Sequence, residues 1–341
     1  MSAVNISEVA RLAGVSTATV SRALSGRGAV SAATRATVER AAAELGYVVS
    51  SNASSLASGR TRNVGLLLPV LDRWYFTAVL SGAQGALRRA GYDVALYCLD
   101  GSDEERTRVF EHFLLRRRID GVIAVALELT SGEVEHLHGL RKPVVGVGGP
   151  ISGVRTLAID DVAVAALATE HLIGLGHTRI GYIGGESSFD ADFHLPQQRR
   201  QGYENALAGA GIALDPGAIR HADFTIDGGY RAAKQLLGAP PQQRPTAIFA
   251  ASDEMAIGAT LAARDLGIAV PSQLSVVGID DHDLSEFFGI TTVAQFPREQ
   301  GERAVAALLE ELEPGAEKSV DRALPFELLV RSSTTAAPAQ Q

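Results

Sequence analysis

Cysteine occurs once in 341 residues, at Cys98, so neither a disulfide framework nor a cysteine-based zinc site can be built. Inside an apolar run, that thiol reads as a small buried core side chain. No apolar stretch approaches the ~18–20 uninterrupted residues of a membrane span. The amino end carries charged residues where an export signal would be apolar. These absences lead to the expectation of a soluble protein of the reducing cytoplasm. Positive charge is also in deficit, with 31 Lys and Arg against 39 Asp and Glu, a net of -8 that argues against a uniformly nucleic-acid-coating chain. The distribution is uneven, however. Residues 1–62 hold seven arginines against Glu8, Glu39 and Glu44, a net of +4, which leaves -12 for the remainder. A basic head on an acidic body suits contact with phosphate at one end only.

Common catalytic signatures are missing too. There is no Gly-x-Ser-x-Gly elbow, no Walker lysine loop and no paired-histidine zinc helix, since His136 and His138 lie two apart. Gly146-x-Gly148-Gly149 lacks the third glycine of a dinucleotide fingerprint. An enzyme acting on a bound sugar is the alternative reading of the body, and a solute-binding protein is another, but the latter would need an export signal.

What is present begins at Asn5. Asn5 with Glu8 forms a capping-box pattern, Val9, Ala10, Leu12 and Ala13 supply an apolar face, and Gly14 suits a left-handed helix end. Ser16 can cap a second helix in which Val20 and Leu24 face inward while Thr17, Ala18, Ser21 and Arg22 face out. Ser31 opens a third, with Val38, Ala41, Ala42 and Leu45 at helical spacing up to Gly46. Two short capped helices joined by a tight turn have the shape that enters a DNA major groove. Such units also occur as plain packing modules.

Residues 49–62 are serine-rich and nearly devoid of core formers, which marks a linker. Ala53 to Ala57 around Leu56 can form one helical turn, but so short a helix needs a partner to order it. Beyond the linker, apolar runs at Val64–Val70, Val94–Leu99, Gly121–Leu127, Val144–Val147 and Thr156–Ile159 predict parallel strands. Crossover helices are expected at 76–91, 103–117 and 131–140. The alternation resumes with strands at Arg179–Ile183, Thr246–Ala250 and Ser275–Ile279, and helices at 161–176, 196–211 and 253–267. Two doubly wound α/β subdomains with parallel sheets are therefore expected, with a ligand cleft at the carboxyl ends of their strands.

Candidate ligand residues fall at those ends. Asp160, Ser252, Asp253, Asp280 and Asp281 close predicted strands, and carboxylates there can accept pairs of hydrogen bonds from vicinal hydroxyls while Arg199 donates. Trp74, the only tryptophan, follows the first strand with Tyr75 and Phe76, and a flat ring there can stack on a sugar face. Aspartate at a strand end can instead cap the next helix, a reading that applies to Asp253 and Asp161. A tryptophan after a strand can equally be core.

With these residues placed, the chain resembles the lactose-repressor (LacI/GalR) family of bacterial transcription regulators over residues 4–333. The resemblance rests on Val9-Ala-x-x-Ala-Gly-Val-Ser-x-x-Thr-Val-Ser-Arg22, Val30-Ser-x-x-Thr-Arg-x-x-Val38 and Leu45-Gly-Tyr47 in the head. In the body it rests on His171-Leu-Ile-x-x-Gly-His177, Arg199-x-x-Gly-Tyr203, Ser252-Asp-x-x-Ala-x-Gly-Ala259 and Val276-Val-Gly-Ile-Asp-Asp281. It implies an all-α helix-turn-helix DNA-binding domain over 1–48 and a hinge over 49–62. It also implies a periplasmic-binding-protein-like core of two subdomains, 63–162 with 295–322 and 163–294 with 323–333, and a disordered tail over 334–341. The segment from Gln295 should return to the first subdomain, and Leu324–Arg331 should add a strand to the second.

The family's roles place Thr17, Ala18 and Arg22 on base edges, and Asn5, Ser16, Thr19, Ser21, Ser31 and Thr34 near phosphate. Ala53 and Leu56 stand at the hinge, with Leu56 at the position of a minor-groove wedge. Val49, Ser50 and Ser54 depart from the family's hinge pattern. In the cleft, Asp160, Arg199, Ser252, Asp253 and Asp280 align with ligand-contacting strand ends. Phe76, Phe224 and Phe296 are candidates for apolar walls, and Trp74 stands where the family commonly has proline. The implied partners are a pseudo-palindromic operator duplex, a small-molecule effector expected to be a mono- or oligosaccharide, and a second copy of the chain. No leucine heptad follows the last strand, so a dimer is expected. No cofactor or metal is implied. The expected function is an effector-controlled repressor acting on the bacterial nucleoid.

Overall fold

The computed structural model describes residues 4–25, 29–47, 60–99, 103–113, 119–185, 194–313 and 322–338. They fall into two compact units, a small one with the described residues up to Asn63 together with 119 and 120, and a large one from Val64 onward. The expected hinge residues Ala53 and Leu56 lie outside the described residues.

In the small unit, α1 (Ile6–Ala13), α2 (Thr17–Ser25) and α3 (Ala32–Leu45) form a three-helix cluster. Each start is fixed by a side chain that occupies backbone N–H groups left unpaired by the first turn. Asn5 accepts from the N–H groups of Ser7 and Glu8 at 3.0 and 3.2 Å, and the Glu8 carboxylate accepts from the Asn5 N–H at 2.9 Å. Ser16 and Ser31 do the same for the Thr19 and Thr34 N–H groups at 3.2 and 3.1 Å. Val9, Val20 and Val38 are fully buried at the centre, with Ala10, Ala23, Ala41 and Ala42 around them. So small a core gains from a polar brace, and Arg35 donates to the Ala23 carbonyl at 2.9 Å, tying α3 to α2. At the end of the expected linker, the Thr61 and Arg62 N–H groups donate to the buried Asp120 carboxylate at 2.8 and 2.9 Å.

The large unit holds two six-stranded sheets. The first is built from β1 (Asn63–Leu68), β2 (Asp93–Cys98), β3 (Gly121–Val125), β4 (Val144–Val147), β5 (Arg155–Ala158) and the two-residue β11 (Arg322–Ala323), in the order β11-β5-β4-β3-β1-β2. Its helices are α4 (Trp74–Arg89), α5 (Asp103–Arg108), α6 (Ser131–Gly139) and α12 (Pro297–Leu312). The second sheet has the order β12-β10-β9-β8-β6-β7. Its strands are β6 (Ile180–Gly185), β7 (Ile219–Ala222), β8 (Ala247–Ala250), β9 (Ser275–Asp280), β10 (Thr291–Ala294) and β12 (Glu327–Leu329). It is covered by α7 (Asp161–Gly174), α8 (Leu195–Gly209), α9 (Ile226–Leu237) and α10 (Asp253–Asp265), with the short α11 (Ser285–Phe288) after β9. Among the described pairings, β12 alone runs antiparallel, against β10. Between the sheets the chain passes three times, after β5, after β10 and after β11.

Several expectations need correction. The helix expected over 103–117 is α-helical only to Arg108 and widens into a π-helical turn over Val109–Phe113. Strands β7 and β10 carry no long apolar run, Ile219-Arg-His-Ala222 and Thr291-Thr-Val-Ala294, and are fixed by pairing with β6 and β9. The strand expected over Leu324–Arg331 shrinks to Glu327–Leu329, and its first residue stays with the first sheet, the Leu324 N–H donating to the Ala158 carbonyl at 2.8 Å. Cys98 is half-buried, since β2 is the sheet's edge strand. Residues 334–338, expected to be disordered, are docked: His177 Nε2 lies 3.1 Å from the Thr335 carbonyl, His171 Nε2 lies 3.0 Å from the Thr334 hydroxyl, and the Ala337 N–H donates to Leu175 at 2.8 Å.

The tightest helix contact is between α4 and α12. A Cβ on Gly82 would overlap the Arg298 carbonyl, and one on Gly301 would overlap the Val79 carbonyl, so the two glycines let these backbones touch. Gly301→Ala forces the helices apart and is expected to lower unfolding free energy by about 1–3 kcal/mol in urea denaturation, whereas Gly85→Ala, facing only the end of the Arg89 side chain, is expected to be neutral or slightly stabilising.

Candidate functional site

Two places carry functional chemistry, and each is built by a local rule. In the small unit, the caps on Ser16 and Ser31 aim the starts of α2 and α3. Thr17, Ala18, Ser21 and Arg22 are exposed, while Val20 and Ala23 are buried, so one face of α2 is free for an external partner. Arg22 Nε donates to its own helix at the Ala18 carbonyl, 3.2 Å away, which steadies the guanidinium along the face. Ser16 and Ser31 also pair with the Thr19 and Thr34 hydroxyls at 2.9 and 2.8 Å, leaving small hydroxyl clusters at two helix N-termini. Helix N-termini with free donors favour phosphate.

In the large unit, a cavity of about 210 Å³ lies between the two sheets at the carboxyl ends of their strands. Phe76, Arg199, Phe224, Ser252 and Asp280 line it. Arg199 is almost fully buried, and its Nε donates to Asp161 at 2.8 Å while Nη1 donates to the Ala251 carbonyl at 2.5 Å. The guanidinium therefore joins α8 to the start of α7 and the end of β8. Ala126, Phe224 and Asp280 reach the cavity from left-handed backbone, with φ of 46°, 58° and 128°. Such conformations cost energy in non-glycine residues and concentrate where a site is held in shape.

Four expected ligand residues are placed elsewhere. Asp160 is exposed and caps α7 by accepting from the Ala163 N–H at 2.9 Å, and the buried carboxylate in the cavity is its neighbour Asp161. The capping role weighed for Asp161 and Asp253 thus falls to Asp160 and to Ser252, which accepts from the Met255 N–H at 3.3 Å. Asp253 is fully buried behind the wall, where its Oδ2 accepts from the Ser285 hydroxyl at 2.6 Å and the His282 N–H at 3.0 Å. Phe296 does not line the cavity and occupies a left-handed N-cap position before α12. Trp74 opens α4 and lies against His282, with ring centroids 4.8 Å apart.

Other lining residues carried too little signal in the sequence. Tyr75, Asp223, Glu254, Gln295 and Gln300 all face the cavity. Glu254 was legible only as the residue after a strand-end aspartate, and Gln295 only as the start of the returning segment. Gln300 lies one turn into α12 and reaches the site because that helix begins at the crossing between the sheets.

Electrostatically the cavity is acidic. Burial pushes Asp280 up to about 6 against the pull of Arg199, and pushes Glu254 up to about 7 with help from Asp280. Asp253 rises to about 8 through burial and the nearby Asp280 charge. Clustered carboxylates of this kind suit a ligand that brings hydrogen-bond donors. Among the described residues, no cluster of His, Cys, Asp and Glu could hold a metal ion, and no helix is long and apolar enough to cross a membrane.

The raised values fix a sign. These carboxyls bind their protons more tightly when folded than when unfolded, so the stability they contribute is fully present below the ordinary carboxylate range and is lost as pH rises through about 8. Chemical denaturation should therefore show the stability of the wild type relative to Asp253→Asn, which mimics the protonated acid, falling between about pH 5 and 8.

Comparison with known proteins bears on both places. Residues 5–50 match the model of bacterial regulatory proteins of the lacI family, and residues 169–334 match that of the periplasmic binding protein-like domain. The HTH-type transcriptional repressor CytR of Escherichia coli K12 is 35% identical over 341 residues, covering 98% of each chain. The repressor PurR of Vibrio vulnificus is 35% identical over 312 residues, 90% of this chain and 91% of that one. Among solved structures, the lac repressor dimer bound to operator and an anti-inducer superposes with a TM-score of 0.85 at 28% identity, covering 98% of this chain and all of that one. The CelR–cellobiose complex superposes at 0.70 with 31% identity, covering 97% and 99%.

Proposed function

The chain belongs to the lacI family of bacterial regulatory proteins, and from that premise we propose that it is a homodimeric transcriptional repressor whose operator affinity is set by a small hydroxyl-rich effector in the inter-sheet cavity. One observation carries the reading: a single chain holds both an exposed helix face bearing Thr17, Ala18, Ser21 and Arg22 and a cavity between two sheets lined by Arg199, Asp280 and Glu254. Its relatives are transcriptional regulators, not enzymes.

On DNA, Thr17, Ala18 and Arg22 read base edges, with the guanidinium able to make a bidentate pair with guanine. Asn5, Ser16, Thr19, Ser21, Ser31 and Thr34 hold phosphates and fix register. Ala53 and Leu56 belong to a hinge turn that wedges the minor groove when two copies pair. The domain bounds proposed are 1–48, 49–62, 63–162 with 295–322, and 163–294 with 323–333, save that Ala323 pairs with the first sheet and the helix over the second sheet already begins at Asp161. A second copy would cover the apolar surface of α11, where Phe287 is 84% exposed beside Leu284 and Phe288. The site of action is the bacterial cytoplasm, at the nucleoid.

For the effector, cellobiose in the CelR complex gives the ligand class this architecture takes in that protein. At about 210 Å³ the cavity is smaller than the ~300–1,000 Å³ typical of drug-sized ligands, which favours one ring over two. Phe76 and Phe224 supply apolar walls, and Asp280, Glu254 and Arg199 supply polar partners. The effector changes operator affinity by binding two arrangements of the halves unequally.

Two measurements test this. Arg22→Ala should reduce the preference for an operator selected from a random duplex library over unselected DNA by about 10–100-fold; an equal loss on both means that Arg22 touches only phosphate. Titrating operator binding with monosaccharides and nucleosides should reveal one that shifts affinity about 5- to 150-fold, and a full panel without effect removes the switch while leaving the DNA reading intact.

A further inference from the structure

The first turn of α4 reaches the second sheet at two points. At the first, the Trp74 indole meets the His282 imidazole, with centroids 4.8 Å apart and planes at 38°. Trp74 follows β1 of the first sheet and His282 follows β9 of the second, so the contact joins the two halves, next to the cavity-lining Arg73 and Tyr75. At the second, the Tyr75 hydroxyl donates to Gln300 Oε1 at 2.7 Å, Gln300 Nε2 donates to the Gln295 carbonyl at 2.7 Å, and Gln295 Nε2 donates to Asp280 Oδ1 at 2.5 Å. That relay runs from α4 through the crossing segment to the end of β9.

His282 is a firm platform for the ring contact. Its backbone N–H is held by Asp253 Oδ2, the same oxygen that accepts from Ser285, and its Nδ1 accepts from the Leu284 N–H at 2.9 Å. The accepting Nδ1 puts the imidazole proton on Nε2, and burial pulls the histidine's pKa below its ordinary value. Charged neighbours are few and mostly engaged: Asp281 is paired with Arg331 at 2.6 Å, Arg73 lies 3.6 Å from Asp72, Asp253 lies beneath, and Asp283 favours the protonated ring.

We infer that Trp74 is a positioning residue: it latches the start of α4 onto His282 across the mouth of the cavity, and the latch is made only when the two halves are closed. Aromatic pairs interact over a centroid range of only about 4.5–7 Å, so an opening of a few ångströms ends the contact. Tyr75, one residue on, is tied through the two glutamines to a cavity carboxylate, so α4 registers both the width of the mouth and the state of Asp280. This goes beyond the effector reading, because the latch exists whether or not the cavity takes a sugar.

The protein carries its own reporter, since Trp74 is its single tryptophan. A protonated imidazole in contact with indole quenches its emission. In the full-length protein, Trp74 emission should fall only as pH drops below the ordinary histidine range, because burial lowers the His282 pKa, and this step should be missing from His282→Gln and His282→Phe. Acrylamide should reach Trp74 more readily in His282→Gln, whereas His282→Phe, which restores a flat ring, should keep it shielded. The melting-temperature losses of Trp74→Ala and His282→Ala should be less than additive in the double variant. Wild-type Trp74 as open to acrylamide as free indole overturns the inference, even should a variant fail to fold. So does a folded His282→Gln with unchanged emission and quencher access, or strict additivity in the cycle.

Discussion

A guanidinium sealed between two sheets organises this molecule's working end. Arg199 is taken out of water, which is costly for a permanent charge, and is stabilised by one carboxylate and one strand-end carbonyl at close range. Satisfying it requires α8, the first residue of α7 and the last turn of β8 to converge on one point. Asp161 serves this purpose only because Asp160 has already turned the chain by capping the helix. The cavity is the space left in front of that assembly. Its acidity is the other side of the same arrangement, since Asp280 and Glu254 share the dry environment but not the direct ion pair.

The remaining architecture holds the two halves so that this space can change. The central strands of each sheet are wholly buried, as at Val122–Val125 and Val276–Ile279. Three passages join the halves, and short segments of this kind absorb hinge motion. Left-handed residues at Phe224, Asp280 and Phe296 mark where the chain leaves a strand or enters a helix around the cleft. The glycine contact of α4 with α12 welds into one body the two helices that begin at the cleft wall. The C-terminal segment, held by His171 and His177, closes the far end of the second half.

The small unit solves a different problem. With seven small side chains at its centre it has little hydrophobic stabilisation to spare, and its precision comes from hydrogen bonds. Capping by Asn5, Ser16 and Ser31 sets where each helix begins, and Arg35 braces α3 against α2. That division of labour leaves Thr17, Ala18, Ser21 and Arg22 exposed on the outward face of α2, which a reader of DNA needs.

Much of this was legible in the chain. The capping box at Asn5, the left-handed cap at Gly14 and the apolar strand runs depend on nearest neighbours and on periodicity, so local rules suffice for the three helices, two sheets and the strand-end position of Arg199's partners. What depends on distant pairing was not. Ile219–Ala222 and Thr291–Ala294 become strands because neighbouring strands offer them hydrogen bonds. Whether Asp160 or Asp161 would face the cavity turned on a single residue of helix phase, which side-chain chemistry alone does not set. The sequence by itself determined that a basic, capped head precedes an acidic α/β body. Only the tertiary structure decided that Trp74 meets His282 and Tyr75 serves Asp280, because residues some 200 positions apart become neighbours through the crossings of the chain and not through any pattern along it.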